Sequence, residues 1–224
     1  MSGETVLTVA VEAADCEVGG LLVRPPDARA LYVLAHGAGA GMRHAFMTAV
    51  AEHLAGRRIA TLRYEFPYMA AGRRYPDRAP RLVATVRAAV EAAREAAGDL
   101  PLIAGGKSMG GRMTSTAQAE EPLPGVRALA FLGFPLHPPA RPGVERAAHL
   151  AHVRVPMLFV QGTRDTFARP DLLAATLAGL PLARLHEVAH ADHGFGVLKR
   201  SGRTPDDVLD EIANVVAGWV GEVT

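Results

Sequence analysis

A serine flanked by glycines marks the point where the sequence best supports covalent chemistry. Ser108 lies in the stretch Gly106-Lys107-Ser108-Met109-Gly110, directly after the apolar run 100–104. This Gly-x-Ser-x-Gly frame, at the end of a strand and the start of a helix, is typical of a sharp turn that exposes a serine hydroxyl above a sheet. Its flanking positions need glycine because neighbouring backbone crowds them and the turn requires unusual dihedral angles. The pattern predicts Ser108 as a nucleophile.

Ser108 needs two partners, because a serine hydroxyl is a poor nucleophile without a general base and a carboxylate that orients the base. The predicted acid is Asp165, which directly follows the apolar run 157–160 and a short Gln-Gly-Thr-Arg turn. The predicted base is His193, which follows a strand expected near 182–187. The gaps between the three residues leave room for intervening strands and helices. We therefore predict a Ser–His–Asp group.

Neighbouring residues offer competing assignments for the base and the acid. His186 and His190 flank the last predicted strand, but they come too early for a loop that reaches over the sheet. Asp192 adjoins His193, yet the side chains of adjacent loop residues rarely face each other. We favour His193 and Asp165, and His190 or His186 becomes the base if His193 proves dispensable.

A glycine-rich loop, His36-Gly37-Ala38-Gly39-Ala40-Gly41, follows the apolar run 31–35. Backbone N–H groups of such a loop can stabilise a developing oxyanion. We predict the N–H groups of Ala38 and Met109 as the donor pair, and we expect His36 to brace the loop. The candidate substrate contacts are Gly37, Gly39 and His137.

Other charged residues near these motifs have plainer interpretations. Lys107 and Arg112 flank Ser108, and we expect solvated or structural roles for both. Four further arginines could form an entrance that favours anions, although a solvated surface is the simpler interpretation: Arg43, Arg63, Arg73 and Arg74.

The elements that must position these residues follow from the apolar patterning. Four short, continuously apolar runs, at 31–35, 102–104, 129–132 and 157–160, are typical of strands buried on both faces of a parallel sheet. Helical spacing of apolar residues spans 82–93 and 208–219, and the second helix has Thr204 as its N-cap. Further strands are expected near 59–64 and 182–187, and segments 6–11 and 18–23 alternate as an antiparallel edge does. Strands that alternate with helices predict an α/β fold with a mostly parallel sheet and helices on both faces.

Length and composition favour one globular domain over residues 1–224, with a short loop or cap at 133–153. The chain has 224 residues, of which 49% are hydrophobic, and its net charge is +1. This charge balance gives no support for a nucleic-acid or membrane partner. The N-terminus lacks a signal-peptide pattern, and no apolar run approaches the roughly 20 residues that span a bilayer. We expect a cytoplasmic protein, and the oligomeric state stays open.

Cofactor motifs are not matched. The lysine of Gly106-Lys107-Ser108 resembles the end of a P-loop, but the glycine that a P-loop needs falls at Pro101. Gly37-Ala38-Gly39 resembles the start of a dinucleotide fingerprint, but its third glycine falls at Met42. The single cysteine excludes a thiolate cluster, and no histidine pair has zinc spacing with a third ligand. We expect neither a metal nor an organic cofactor.

From about residue 20 onward, the chain resembles the α/β-hydrolase superfamily, most closely its small, nearly lidless, dienelactone-hydrolase-like members. It also resembles an uncharacterised subgroup related to the hydrolase-like domain of a non-specific-lethal chromatin complex subunit. Four motifs carry this finer resemblance: Gly106-Lys107-Ser108-Met109-Gly110-Gly111-Arg112, Tyr64-Glu65-Phe66-Pro67-Tyr68, Phe134-Pro135-Leu136-His137-Pro138-Pro139 and Gln161-Gly162-Thr163-Arg164-Asp165. The resemblance implies a single-domain α/β-hydrolase fold with a minimal cap.

The resemblance also implies hydrolysis of carboxylic esters by Ser108, Asp165 and His193, in the chain order of that superfamily. Dienelactone hydrolases proper use a cysteine nucleophile, so their particular substrate does not carry over to Ser108. We expect a serine hydrolase that acts on a small ester, thioester or lactone through an acyl-enzyme. The alternatives are a non-catalytic interaction module with the same fold, or the same three residues acting on peptides or carbon–carbon bonds.

Overall fold

An eight-stranded sheet with helices on both faces forms the centre of the chain. The computed structural model describes residues 3–224. The strands are β1 (Glu4–Val11), β2 (Cys16–Val23), β3 (Ala30–Ala35), β4 (Ile59–Tyr64), β5 (Leu102–Lys107), β6 (Val126–Leu132), β7 (Met157–Gly162) and β8 (Ala183–Val188). The helices are α1 (Ala45–Ala55), α2 (Pro67–Ala70), α3 (Ala79–Ala97), α4 (Met109–Glu120), α5 (Pro170–Ala178) and α6 (Pro205–Val223).

The strand order is β1-β2-β4-β3-β5-β6-β7-β8. β3 to β8 run parallel to one another, whereas β1 and β2 pair antiparallel at one edge. The predicted α/β class and the antiparallel N-terminal edge are thereby confirmed. Because parallel strands end at the same edge of the sheet, the loops after β3, β5, β7 and β8 gather there. These loops carry the predicted chemistry.

Each central strand contributes to two hydrophobic cores, which explains its continuous apolarity. In β3, Leu31, Val33 and Ala35 pack on the side of α3 and α4. The alternate β3 residues, with Tyr32 at their centre, pack on the side of α1 and α6. A strand covered on both faces gains from apolar residues at every position, so its sequence does not alternate.

The start of α6 agrees with the prediction from the sequence, whereas the start of α3 differs from it. Thr204 caps α6 in a capping box, in which the Thr204 side chain accepts from the Asp207 N–H and the Asp207 carboxylate accepts from the Thr204 N–H. α3 begins at Ala79, three residues before the first periodic apolar residue, because Pro80 occupies its first turn. The apolar patterning did not single out α1 or α5. Within the described part of the chain, none of the helices has the length and apolarity needed to cross a bilayer.

Segment 133–153 contains bends, turns and one 3-10 stretch, Glu145–His152. This stretch packs on α4, where the Ser115 Oγ and His149 Nε2 atoms are 2.7 Å apart. The Ser115 hydroxyl donates to the Arg112 carbonyl at 2.9 Å, so His149 donates its Nε2 proton to Ser115. The segment is therefore fastened to the helix that begins next to Ser108.

Candidate active site

Ser108 occupies a strained turn between β5 and α4. Its backbone has φ 49° and ψ −114°, a region that non-glycine residues rarely adopt. The Ser108 N–H donates to the Leu132 carbonyl of β6 at 3.1 Å, which ties the turn to the sheet. A Cβ atom at Gly106 would lie 2.2 Å from the Ala35 carbonyl oxygen, and one at Gly110 would lie 2.6 Å from the His36 carbonyl oxygen. The glycines are thus required by backbone crowding on both sides of the serine.

The structure brings Ser108, His193 and Asp165 into one hydrogen-bonded chain. The Ser108 Oγ and His193 Nε2 atoms are 2.8 Å apart, and His193 Nδ1 lies 2.7 Å from Asp165 Oδ2. An ionised Asp165 only accepts hydrogen bonds, so the imidazole proton resides on Nδ1. Nε2 then carries the free lone pair that accepts from the Ser108 hydroxyl. This is the arrangement that general-base activation of a serine requires.

Asp165 is buried, with 3% of its surface exposed, and its carboxylate is held by three donors. The Phe167 N–H donates to Oδ1 at 2.7 Å, while Oδ2 accepts from Gln161 Nε2 at 2.5 Å and from His193. The Gln161 side chain is oriented in turn, because its Oε1 accepts from the Phe134 N–H at 2.9 Å. Buried charges are stable when hydrogen bonds satisfy them, and these bonds also define the orientation of the carboxylate.

The competing residues lie elsewhere or are engaged in other bonds. His186 Nε2 is 2.7 Å from Glu211 on α6, away from Ser108. The backbone of His190 bonds to Thr163 Oγ1 and to Arg164, and among the described residues it is the His193 imidazole, not that of His190, that bonds to Ser108. Asp192 Oδ1 accepts from the N–H groups of Gly194 and Gly196 at 2.8 and 2.9 Å, so it shapes the His193 loop rather than orienting the imidazole.

Lys107 fastens the loop that carries His193. Its Nζ donates to the His193 carbonyl at 2.6 Å and lies 5.3 Å from the centre of the Phe195 ring. Burial lowers the pKa of Lys107 to about 8, and the nearby charges of Asp165 and Asp192 oppose this effect. Lys107 therefore has a structural role, whereas the sequence left both a structural and a solvated role open.

His36 braces the glycine-rich loop, as its position suggests. Its Nδ1 lies 2.8 Å from the Gly37 carbonyl oxygen, and its Nε2 accepts from the Phe66 N–H at 3.0 Å. Burial lowers the pKa of His36, against the hydrogen bond to Gly37 and the charge of Glu65, so the ring is neutral. Glu65 supports the same loop, because its Oε1 accepts from the Met42 N–H at 2.7 Å.

A cavity of about 310 Å³ opens beside the serine. Ser108, Ala38 and Met109 line it, together with Phe167, whose ring centre lies 4.3 Å from that of His193. No loop, turn or side-chain hydrogen bond among residues 3–224 takes up the N–H of Ala38 or of Met109. Both predicted donors therefore lie at the cavity with N–H groups available for an oxyanion.

The three candidate substrate contacts are not among the residues that line this cavity. His137 is buried, its Nδ1 lies 2.9 Å from the Pro138 carbonyl oxygen, and its Nε2 accepts from the Arg169 N–H at 2.9 Å. It therefore holds loops together. The Gly39 N–H donates to the Tyr68 hydroxyl at 3.2 Å. A Cβ atom built on Gly37 would lie 3.7 Å from the Ser108 Cβ, so Gly37 adjoins the serine.

The arginines differ most from expectation. Arg63 is almost fully buried on β4, where it donates to the Met42 carbonyl and to Thr48 and pairs with Glu4, so it is not solvated and does not line the cavity beside Ser108. Arg112, expected to be solvated or structural, lines the cavity beside Ser108, as does Arg146. Within residues 3–224, no three His, Cys, Asp or Glu side chains converge as metal ligands.

Sequence reasoning assigned no role to Gln161, Phe167 or Arg146. Gln161 had one detectable signal, because a polar residue at the end of the buried run 157–160 needs a hydrogen-bond partner. Phe167 and Arg146 had none, since both reach the cavity through loops whose paths depend on tertiary packing.

The chain matches one protein family in sequence and is similar to several known hydrolases in structure. Residues 28–221 match the protein family described as alpha/beta hydrolase domain. Dienelactone hydrolase from Anabaena variabilis has a similar structure, with a TM-score of 0.77 at 23% identity over 99% of this chain and 98% of that one. An alpha-beta serine hydrolase homologue from Coxiella burnetii has a TM-score of 0.75 at 17% identity over 97% of each chain. A lidless α/β serine hydrolase from Xanthomonas campestris has a TM-score of 0.73 at 19% identity over 98% of this chain and 96% of that one. At these identities, the similarity shows a shared fold.

Proposed function

Because the chain belongs to the alpha/beta hydrolase domain family, we propose that it is a serine hydrolase that cleaves a small carboxylic ester, thioester or lactone. Ser108 is the nucleophile, His193 the general base and Asp165 the orienting acid. The observation that supports this most directly is the continuous Oγ–Nε2 and Nδ1–Oδ2 contact, at 2.8 and 2.7 Å. The strained backbone of Ser108 supports the same role, because residues held in rarely populated dihedral regions are concentrated at functional sites.

In the acylation step, the Ser108 oxygen attacks the carbonyl carbon while His193 Nε2 removes the hydroxyl proton. Asp165 stabilises the imidazolium that forms and keeps its Nδ1 proton in place. The carbonyl oxygen becomes an oxyanion, which accepts hydrogen bonds from the Ala38 and Met109 N–H groups. His193 then donates its Nε2 proton to the leaving alkoxide or thiolate, and the acyl group stays on Ser108.

Deacylation repeats the same steps with water as the nucleophile. His193 removes a proton from water, water oxygen attacks the acyl carbon, and the Ser108 alkoxide leaves with the proton from Nε2. The cavity of about 310 Å³ is small and open to one side of Ser108, which favours a short acyl or alcohol group.

A fluorophosphonate probe tests the nucleophile directly, because it phosphonylates only a serine that a base activates. We expect stoichiometric labelling of the wild-type chain, no labelling of Ser108→Ala, and full labelling of Ser201→Ala, a serine on a distant 3-10 turn. A panel of short esters and thioesters, measured on the same three proteins, then defines the substrate class. Folded wild-type protein that neither reacts with the probe nor hydrolyses any ester would contradict the proposal.

That negative outcome would favour the interaction module, which the finer resemblance to the chromatin-complex subgroup suggests. We also propose that the chain is related to this subgroup and forms a single domain over residues 1–224 with a minimal cap. We further propose that the protein is cytoplasmic and needs no cofactor. Peptidase or carbon–carbon hydrolase activity would be detected as turnover of those substrates with the same dependence on Ser108.

A further inference from the structure

Two arginines lie on the wall of the cavity beside Ser108 without a carboxylate partner in the described chain. Arg112 and Arg146 both line the cavity and are partly buried. Among residues 3–224, neither guanidinium takes part in a hydrogen bond or an ion pair. Many arginines of the chain are paired, such as Arg57 with Asp210 and Arg184 with Glu222, and four unpaired ones are exposed: Arg74, Arg78, Arg141 and Arg200. Two unpaired cations beside one reactive serine therefore need an explanation.

The position of Arg112 relative to Ser108 is defined by α4. The Arg112 N–H donates to the Ser108 carbonyl at 3.1 Å, so Arg112 lies one helical turn beyond the serine. Residues four apart share a helix face and have Cβ atoms about 5–6 Å apart. Arg146 comes from the 3-10 stretch that His149 fastens to α4 through Ser115. The backbone positions that carry both guanidinium groups are therefore fixed beside the cavity by regular structure.

The electrostatic environment of this wall is that of closely spaced positive charges. Burial and, secondly, the charge of Arg146 lower the pKa of Arg112. Burial, followed by the charges of Arg112 and His152, lowers the pKa of His149 to about 4. Cations brought together in a partly buried site repel one another, and an anion bound between them relieves that repulsion.

One carboxylate, Asp77, lines the same cavity. Its Oδ1 accepts from Arg73 at 2.7 Å, whereas its buried Oδ2 makes no hydrogen bond within the described chain and lies 3.9 Å from Arg81 Nε. Among residues 3–224, no ion pair joins Asp77 to Arg112 or Arg146, so the lining holds two guanidinium groups and one carboxylate. The cavity therefore carries a net positive charge beside the Ser108 hydroxyl.

We propose that the natural substrate carries a carboxylate a few bonds from the reacting carbonyl, and that Arg112 and Arg146 bind this carboxylate. The assignment deepens the hydrolase function proposed above and rests on it. Guanidinium groups suit the task, because their planar donors match a carboxylate in paired hydrogen bonds that are stronger than neutral ones. The bound carboxylate would place the carbonyl over Ser108 and select against neutral esters.

Two matched substrate pairs test the proposal. For the acyl side, we compare the 4-nitrophenyl hemi-ester of adipic acid with its carboxamide analogue, in which CONH₂ replaces the carboxylate. For the alcohol side, we compare the acetyl ester of 4-hydroxybutanoate with that of 4-hydroxybutanamide. We expect kcat/KM to be at least about tenfold higher for the carboxylate in one pair, as loss of a charge-assisted contact implies.

The arginine variants locate the preference. Arg112→Gln and Arg146→Gln should each lower the ratio of the two kcat/KM values about tenfold, and salt should lower the wild-type ratio. Arg141→Gln is the matched control, because Arg141 is an exposed arginine of the same segment that does not line the cavity. Equal kcat/KM values within both wild-type pairs, with Ser108 fully active, would overturn the proposal and leave the hydrolase function intact.

A binding measurement separates this proposal from the activity on which it rests. We expect calorimetry to detect binding of adipate, but not of adipamide, to Ser108→Ala, and to detect no adipate binding to Ser108→Ala with Arg112→Gln. An inert Ser108 with adipate binding that depends on the arginines would refute the hydrolase function alone. Adipate binding that is absent, or unaffected by both arginine variants, would refute the carboxylate site.

Discussion

Two parts of the candidate site differ in how fully their polar groups are partnered: the His193 group (His193, Asp165, Gln161 and Lys107) and the arginine wall (Arg112 and Arg146). In the His193 group, every polar atom of Asp165 and Gln161 named above has a partner, and the His193 carbonyl accepts from Lys107. On the arginine wall, which lines the cavity, both guanidinium groups lack partners within the described chain. Fully bonded groups have one geometry, whereas unpaired cations remain available to a ligand.

This difference separates two tasks that one active site must perform. Proton transfer depends on distances held to within a fraction of an ångström, so the His193 group is hydrogen-bonded throughout. Selecting a substrate depends on groups whose partner arrives with the substrate, so the arginine wall is left unpaired. Variants in the His193 group should therefore affect all substrates, and variants on the arginine wall should affect the choice among them.

The largest expected effect tests the His193 group. His193→Ala removes the base, so kcat should fall about 10⁵-fold or more, as in serine hydrolases that lose a member of the group. His190→Ala is the matched control, and its kcat should stay within about threefold of wild type. The measurement is steady-state hydrolysis of the best short ester, with circular dichroism to show that both variants fold. If His190→Ala lost the activity instead, the assignment of the base would be wrong.

The next effect distinguishes the two aspartates. Asp165→Asn should lower kcat about 10⁴-fold, because an amide no longer holds the proton on Nδ1 of His193. Asp192→Asn retains an oxygen that accepts from the Gly194 and Gly196 N–H groups, so its kcat should change less than about tenfold. Equal losses in the two variants would show that the loop, rather than the carboxylate, controls the imidazole.

A smaller effect sharpens the role of the bonds behind the base. Lys107→Met removes the donor to the His193 carbonyl, which leaves the loop less well positioned. We expect kcat to fall about tenfold with little change in KM, because misplacement of a reacting group slows chemistry more than binding. Lys199→Met, at an exposed lysine, should leave both constants unchanged. A rise in KM at constant kcat would instead place Lys107 in substrate binding.

The smallest effect concerns the stability in acid of the segment behind the arginine wall, where His149 lies near Arg112. The folded-state pKa of His149 is about 4, below its ordinary value of 6.5. Between these values the unfolded chain binds more protons, so the free energy of unfolding falls as pH drops through this window. His149 is partly exposed, and solvent screening reduces its contribution to the order of 1 kcal/mol.

His149→Gln tests this, because it keeps a donor for Ser115 and removes the titration. Urea unfolding at pH 7 and pH 4.5 should show a loss of stability about 1 kcal/mol larger in the wild-type chain than in this variant. Equal losses in both proteins would show that protonation of His149 does not lower the stability of the folded chain.

Much of the fold was predictable, because burial on two faces leaves a mark that short windows of sequence retain. The runs that became β3, β5, β6 and β7 were recognisable from continuous apolarity, and α6 from its cap. α1 and α5 were not predicted, because short helices with several alanines have a weak periodic signal. The bounds of α3 shifted because a first-turn proline, rather than the apolar spacing, determined its start.

In the candidate site, too, the predictable residues were those whose role can be recognised from local sequence. The residue types of Ser108, Asp165 and His193 each carry a chemical signature, and their places after strands made them detectable one by one. Arg112 was visible in the sequence, but its role depends on whether a carboxylate faces it, which no local pattern records. Lys107 and Gln161 likewise acquire meaning only from the atoms that they reach.

The sequence by itself determined which residues can form a nucleophile, a base and an acid, and which strands bring them to one edge of a sheet. These features are local: glycines at a crowded turn, apolar runs covered on both faces, and polar residues just beyond them. Only the tertiary structure decided that His193 rather than His190 reaches Ser108, and that Arg112 and Arg146 meet at the cavity unpaired. Distances between residues far apart in the chain depend on how whole layers pack, because partners come from different elements and are satisfied only when those elements meet.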